Sequence, residues 1–261
     1  MPARAQLAQD LLHLGEYEEG WALLKEVEES NSPAGAPFSL LELQKRMEAF
    51  RTLENDDFVV QMDAREAEVY GGDVLKSLGQ AKESLCRRYG LKPGRRVIVE
   101  IFPDEQDFAA RAFGTTSTAG YSGVCFGKVI AIQSPATRET TPVNWRSMLW
   151  HEYCHAVTLE LTNSRIPRWF SEGISVAEER RRNPAWGHRM TPAWRERILS
   201  GRLVPARGLN RAFLQPESPE DLQFAYFESA LVVEFLEKRH GEDAVQKVLA
   251  DLRNGVSLEE A

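Results

Sequence analysis

The stretch SMLWHEYCHAVTLEL (Ser147–Leu161) places two histidines four residues apart, with a glutamate directly after the first. Positions i and i+4 lie on one face of an α-helix, so His151 and His155 would project side by side. No proline or glycine interrupts the chain over 145–161, which predicts a helix there. The residues around the pair are uncharged: Leu149, Trp150, Tyr153, Cys154, Ala156 and Val157. The pair is therefore expected to lie on a largely buried helix.

Two interpretations of the pair are open: a chance pattern in a helix, or a metal site. Burying two imidazoles and a carboxylate without partners would cost several kcal/mol, which favours a metal that satisfies them. A catalytic zinc ion commonly has three protein ligands. The next segment, IPRWFSEGISVAEE (Ile166–Glu179), predicts a helix over 168–182 that folds back and turns Glu172 towards the histidines. A purely structural zinc site would need a fourth ligand, and no further His or Cys is evident.

The pattern along the rest of the chain predicts an α+β fold. Helices are expected at 3–30 (two short ones), 39–53 and 64–89, and strands at 57–62, 95–102 and, as a pair with a turn at Gly127, within 121–134. From residue 144 onward the pattern is almost entirely helical, at 145–161, 168–182, 191–199, 219–239 and 241–254. We therefore predict a helical segment over 1–53 and one domain over 54–261, with a strand-rich half (54–143) and a helical half (144–261).

The first helices have a pattern of their own. Six residues resemble the second half of a tetratricopeptide repeat: Gly15, Tyr17, Glu19, Gly20, Leu24 and Val27. An ordinary helical hairpin is the alternative. Either structure could offer a surface to a protein partner.

Composition excludes some classes of function. The net charge of −7 and the isoelectric point near 5.4 argue against general nucleic-acid binding. The sequence has no apolar run of membrane-spanning length, and its first twenty residues are not a signal peptide. The three cysteines lack a CxxC spacing, so reduced thiols are expected. The ending NGVSLEEA falls in what looks like a continuing helix, which favours a piece of a longer bacterial protein of unknown compartment.

The two motifs together resemble those of the gluzincin metallopeptidases, the group of thermolysin and the one-zinc aminopeptidases. More closely, they resemble the bacterial peptidase MA-like domains that are often attached to tetratricopeptide repeats. The matching residues are His151, Glu152 and His155, followed by Trp169–Gly173, and the resemblance covers about residues 57–241. It implies a zincin-like fold, a small mixed sheet followed by helices. Val176 stands where thermolysin-like enzymes have an acidic residue, and the G-x-M-E-N motif of aminopeptidases is absent.

The resemblance also implies roles for particular residues. His151, His155 and Glu172 would bind Zn²⁺, and Glu152 would be the general base. Tyr226, in FAYFESALVVEFLEKRHG (Phe224–Gly241), would donate a hydrogen bond to the scissile carbonyl oxygen, although core packing is the alternative for an aromatic residue there. A strand containing Gly123, Val124, Cys125 and Phe126 would bind an extended peptide by strand addition.

The sequence thus predicts a zinc-dependent peptidase acting on peptides or proteins. The competing hypothesis is an inactive peptidase fold that serves as a protein-binding scaffold, although an intact His-Glu-His-Glu set argues against it. Other polar residues receive simpler interpretations. His13 and His188 are expected at the surface or in loops, and Glu178 and Glu179 on a solvated helix face.

Overall fold

The computed structural model describes residues 2–29, 38–118, 120–137 and 144–261. The strands are β1 (Phe50–Glu54), β2 (Phe58–Asp63), β3 (Val97–Phe102), β4 (Gly123–Cys125) and β5 (Val129–Gln133). The helices are α1 (Pro2–His13), α2 (Tyr17–Glu29), α3 (Phe38–Met47), α4 (Ala64–Tyr89), α5 (Glu105–Phe113), α6 (Trp145–Thr162), α7 (Arg168–Arg182), α8 (Pro192–Leu199), α9 (Leu209–Leu214), α10 (Pro219–His240) and α11 (Ala244–Arg253). Short 3₁₀ turns lie at Pro135–Thr137 and Ala206–Gly208.

The chain divides into two compact units. The first comprises Met1–Glu83 and Lys92–Ala156, and the second comprises Ser84–Leu91 and Val157–Ala261. The first unit contains the whole sheet and the second is helical. Among the described residues, no helix combines the length and the apolar character needed to cross a membrane.

The sheet of the first unit has the strand order β1-β2-β3-β5-β4. Strands β2, β3 and β5 run parallel, while β1 and β4 pair antiparallel with β2 and β5. Strand β5, which lies between β3 and the edge strand β4, is buried along its entire length, as expected of a strand covered on both faces. Strand β4 lies at one end of this order, so one of its backbone edges has no strand partner among the described residues.

The predicted α+β fold with a small mixed sheet is confirmed, and most predicted elements occur within a few residues of their expected positions. The helix predicted over 39–53 is wrong in its second half, because α3 ends at Met47 and β1 follows. Asn55 accepts hydrogen bonds from the backbone N–H groups of Asp57 and Phe58, which turns β1 back onto β2. The expected continuation of the last helix is also wrong, since α11 ends at Arg253, and the short helix α9 was not predicted.

The N-terminal helices share one hydrophobic core with the sheet. This core contains residues of α1–α3, β3, α5 and β5: Ala8, Leu12, Leu24, Leu40, Leu41, Leu43, Phe102, Phe108, Ala110, Ala112 and Ala131. Helices α1, α2 and α3 therefore pack against the sheet rather than apart from it. The likeness of this segment to a tetratricopeptide repeat, and a domain boundary at residue 54, stay predictions.

A buried ion pair joins these helices to the sheet. The side chains of Glu100 on β3 and Arg111 on α5 are completely buried, and the Arg111 Nε lies 2.8 Å from a Glu100 oxygen. The Tyr17 hydroxyl donates to the same carboxylate at 2.8 Å, and Arg111 donates to the Leu12 carbonyl oxygen at 2.8 Å. Burial and then the positive charge of Arg111 lower the pKa of His13 to about 4, so this ring stays neutral beside the pair.

Another charged cluster lies in the second unit, where the sequence suggested a solvated helix face. Glu178 is only 2% exposed, so that prediction is wrong. Its carboxylate accepts a hydrogen bond from the Tyr89 hydroxyl at 2.7 Å and contacts Arg88 at 2.9 Å. Arg88 and Arg181 also bind Glu237 on α10. The run of charges on α7 therefore holds this helix to α4 and α10.

Helices α7 and α10 make extensive contact in the second unit, and a glycine sets their separation. A Cβ atom at Gly173 would lie 2.6 Å from the Ser229 carbonyl oxygen, closer than real Cβ atoms approach backbone. Only a residue without a side chain therefore fits this crossing.

We predict that Gly173→Ala lowers the free energy of unfolding by about 1–3 kcal/mol, because the two helices would have to separate. Gly79→Ala is the matched control: Gly79 also lies inside a helix, and no described atom lies within 4 Å of a Cβ there. That control should raise stability by about 0.5–1 kcal/mol through helix propensity alone. Urea unfolding measures both changes, and equal effects of the two substitutions would contradict the close crossing.

Candidate metal centre

The two histidines of the HExxH motif lie on α6, as the sequence predicted. Their side chains project from one face, with the two Nε2 atoms 3.0 Å apart and the ring centroids 4.7 Å apart. Both residues are half-buried, whereas Trp150, Tyr153 and Cys154 beside them are buried. The apolar residues of α6 thus anchor the helix and leave the imidazole edges directed at a common point.

The third predicted ligand, Glu172, lies in the first half of α7. Pro167 stands at the N-cap position with extended backbone, and the helix starts at Arg168 as expected. Glu172 is buried and accepts a hydrogen bond of 3.4 Å from Nε of Arg168, one helical turn earlier. The Arg168 guanidinium in turn lies 5.8 Å from the Phe213 ring. Arg168 was not among the predicted site residues. Its spacing of four residues from Glu172 could have predicted this contact, because residues four apart are neighbours on a helix.

The three predicted ligands form a group with the donor atoms of a metal site. One ligand atom each of His151, His155 and Glu172 lies within 4.8 Å of the others. Glu178 and Glu179, the other two carboxylates of α7, do not belong to this group, and Glu178 is held by Tyr89 and the arginines described above.

A buried hydrogen bond fixes the end of α6 against α7. The hydroxyl oxygens of Thr158 and Ser171 lie 3.0 Å apart, and both residues are buried. Thr158 comes three residues after His155, and Ser171 directly precedes Glu172. This contact therefore sets the register of the helix segments next to two of the predicted ligands.

Glu152, the predicted general base, is buried and lies against the edge strand of the sheet. A Cβ atom at Gly123 on β4 would lie 2.6 Å from Oε1 of Glu152 and 3.0 Å from its Cγ. The absence of a side chain at Gly123 thus gives the carboxylate its place beside the strand backbone. Burial and then the negative charge of Glu152 raise the pKa of the Cys125 thiol on the same strand, which keeps this cysteine protonated.

The predicted peptide-binding residues lie on and just after β4. Gly123, Val124 and Cys125 form the strand, are half-buried and pair with β5 on one side. Phe126 follows in the turn and stacks on His13, with ring centroids 3.8 Å apart. His13 is therefore a packing residue that braces the turn, and not the surface residue that the sequence suggested.

Tyr226 lies in α10, whose start agrees with the sequence: Ser218 caps the helix by accepting from the Asp221 N–H, and Pro219 follows. The Tyr226 side chain is half-buried. Its ring packs against Phe213 at 4.9 Å and lies 6.1 Å from the His188 ring. Phe213 links Tyr226 to Arg168, and Arg168 contacts Glu172, so these residues form one continuous cluster in the second unit. His188 lies in a loop, as the sequence predicted, but its position next to Tyr226 was not predicted.

Comparison with known proteins identifies a family for this chain. The sequence profile of the Peptidase MA superfamily matches residues 79–261, which is more than half of the chain. No curated protein sequence and no solved structure showed a significant match. The matched range contains both motifs, α10 and most of the sheet. The chain belongs to the Peptidase MA superfamily.

Proposed function

We propose that this chain is a zinc-dependent peptidase of the gluzincin type, with a zincin-like fold, in which His151, His155 and Glu172 hold the metal. The observation that carries the proposal is the convergence of one ligand atom from each residue within 4.8 Å. Two nitrogen ligands of a tetrahedral zinc, at about 2.0–2.1 Å from the ion, are separated by roughly 3.3 Å. The observed Nε2–Nε2 distance of 3.0 Å is close to this value.

The chemistry of the donor set also fits zinc. Two neutral imidazoles and one carboxylate are the ligands of many catalytic zinc sites, which leave one coordination position open. When bound, zinc supplies Lewis acidity, which polarises a carbonyl group and lowers the pKa of a water molecule to about 7.

The protein's own residues supply the proton transfers and the substrate contacts. Glu152 accepts a proton from the attacking water and delivers it to the nitrogen of the leaving amine as the C–N bond breaks. Its position against Gly123 supports this role, because a peptide lying along β4 would bring its carbonyl groups close to this carboxylate. Backbone N–H and C=O groups of β4 would pair with the extended peptide, and the hydroxyl of Tyr226 would donate to the scissile carbonyl oxygen.

The first test is metal content. Purified protein should contain close to one zinc ion per chain by elemental analysis, and His155→Ala or Glu172→Ala should lose it on dialysis because each removes one of three ligands. The control is His240→Ala, which changes an exposed histidine at the end of α10 and should keep the metal. Chelation should lower the melting temperature of the control and leave that of the ligand variants unchanged. Full zinc content in Glu172→Ala would remove this residue from the ligand set.

The second test separates base from ligand. Glu152→Gln keeps the shape of the side chain and removes the proton acceptor, so zinc content should stay at the wild-type level. Peptide hydrolysis should fall by more than the ~10²–10⁴-fold of an ordinary acid–base group, because the carboxylate acts in both proton transfers. A chelator-sensitive cleavage assay on a peptide library measures this. Wild-type turnover by the Gln variant would rule out the mechanism, and wild-type protein that binds zinc and cleaves nothing would favour the inactive scaffold.

The third test concerns the hydroxyl of Tyr226. Tyr226→Phe should lower kcat by roughly 10²–10³-fold with little change in KM, because a hydrogen bond to the developing oxyanion strengthens in the transition state. Zinc content and melting temperature should not change. The control Tyr89→Phe removes a hydroxyl that donates to buried Glu178, and it should lower stability while kcat stays the same. If Tyr226→Phe keeps full activity and Tyr226→Ala only melts earlier, Tyr226 is a packing residue.

A further inference from the structure

A cavity of about 220 Å³ lies within the second unit, and none of the predicted catalytic residues lines it. It is bounded by the end of α8, the segment before α9, α9 itself and the start of α10. The α10 residues in its wall are Asp221, Phe224, Ala225 and Glu228, spaced as one face of a helix. Tyr226 points elsewhere, towards Phe213 and His188, and does not line this cavity.

The wall contains a buried carboxylate whose hydrogen bonding is incomplete. Glu228 is 3% exposed, and its Oε1 accepts a hydrogen bond of 2.8 Å from the backbone N–H of Val204. Its Oε2 is buried and has no hydrogen-bond partner among the residues that the structure describes. An unsatisfied buried polar atom is destabilising, and more so when it is charged, so a donor from outside the chain would be favoured here.

One of the two arginines in the wall is already engaged by another carboxylate. Arg197 forms an ion pair of 2.7 Å with Asp221, and its guanidinium stacks over the Phe224 ring at 4.1 Å. Burial raises the pKa of the Glu228 carboxyl, against the opposing effects of the Val204 N–H and the charge of Arg197. The carboxylate form of Glu228 is thus under-compensated by the protein itself.

The wall also contains Arg211, Gln215 and Glu217, and one part of it suits an apolar stem. Val204, Phe224 and Ala225 provide aliphatic and aromatic surface next to Glu228. A ligand with a charged donor at one end and a short hydrocarbon chain would satisfy both parts of the wall, since a charge-assisted hydrogen bond is roughly twice as strong as a neutral one.

We infer that this cavity is a binding site for a small organic cation, an ammonium or guanidinium group on a short aliphatic chain, with Glu228 as its counter-ion. The site is separate from the proposed zinc centre. It requires neither zinc nor peptidase activity, so it can be tested whether or not the proposed function holds.

The test uses butylammonium and butylguanidinium as probes, with 1-butanol as an uncharged compound of the same length. The cations should bind the full chain saturably in calorimetry and raise its melting temperature, while 1-butanol does neither at the same concentration. Glu228→Gln keeps the acceptor for Val204 and removes the charge, and it should weaken binding by about 10–100-fold, the equivalent of losing one charged hydrogen bond. Glu220→Gln changes an exposed acid in the first turn of the same helix, outside the cavity, and should bind like wild type.

A second variant addresses the cavity independently of Glu228. Ala212→Leu places a larger side chain at a half-buried position of the wall, and it should abolish binding while the protein stays folded. Three outcomes would overturn the inference: no saturable binding by wild type at about 50 mM probe, equal binding by Glu228→Gln, or 1-butanol binding as well as the cations.

Discussion

The close crossing of α7 and α10 is the constraint on which the helical unit depends. Glu172 directly precedes Gly173, the residue that allows the α7 backbone to reach the carbonyl of Ser229. The same crossing holds α10 in the register that packs Tyr226 on Phe213, beside Arg168. Because the two helices are closely packed at this point, a shift of one helix would move the other. The crossing therefore positions Glu172 and the aromatic cluster together. Gly173 of the W-F-S-E-G motif is therefore a structural residue, and the proposed metal ligand is the glutamate directly before it.

The sheet unit depends on a different device, a completely buried ion pair. Glu100 and Arg111 would be costly to bury alone, and they are compensated by Tyr17 and by the carbonyl of Leu12. Both compensating groups come from the N-terminal helices. The buried ion pair therefore has these two hydrogen-bond partners only when those helices are in place. The helices also brace the turn after β4 through the stacking of His13 on Phe126. The N-terminal helices, whose sequence resembles a separate repeat, therefore help to hold the edge strand β4 in place.

The sequence predicted an element or a site correctly wherever the residues that determine it lie close together in the chain. The apolar pattern predicted α4 over Ala64–Tyr89 at both ends, and the His-Glu-x-x-His spacing on an unbroken helix predicted the converging imidazoles. Sequence-based prediction was wrong where an element or side chain depends on a residue far away in the chain. Strand β1 forms because β2 offers it a sheet edge, which the helix-favouring residues before Asn55 do not reveal. Glu178 was expected on a solvated helix face because the Tyr89 hydroxyl that donates to its carboxylate comes 89 residues earlier in the chain.

The groups that surround each buried carboxylate indicate its role better than its position in a sequence motif does. Glu178 is surrounded by a tyrosine hydroxyl and two arginines, so its charge is neutralised within the protein and its role is structural. Glu172 accepts a hydrogen bond of 3.4 Å from Arg168 and lies in a group with two imidazoles, a set of donor atoms that suits a metal ion. Glu152 lies against the backbone at Gly123, where a carboxylate can exchange protons with groups that approach along the strand. Glu228 is half satisfied and borders a cavity, so its missing donor has room to come from a ligand. We therefore propose that the surroundings of a buried glutamate decide whether it acts as a brace, a metal ligand, a base or a counter-ion.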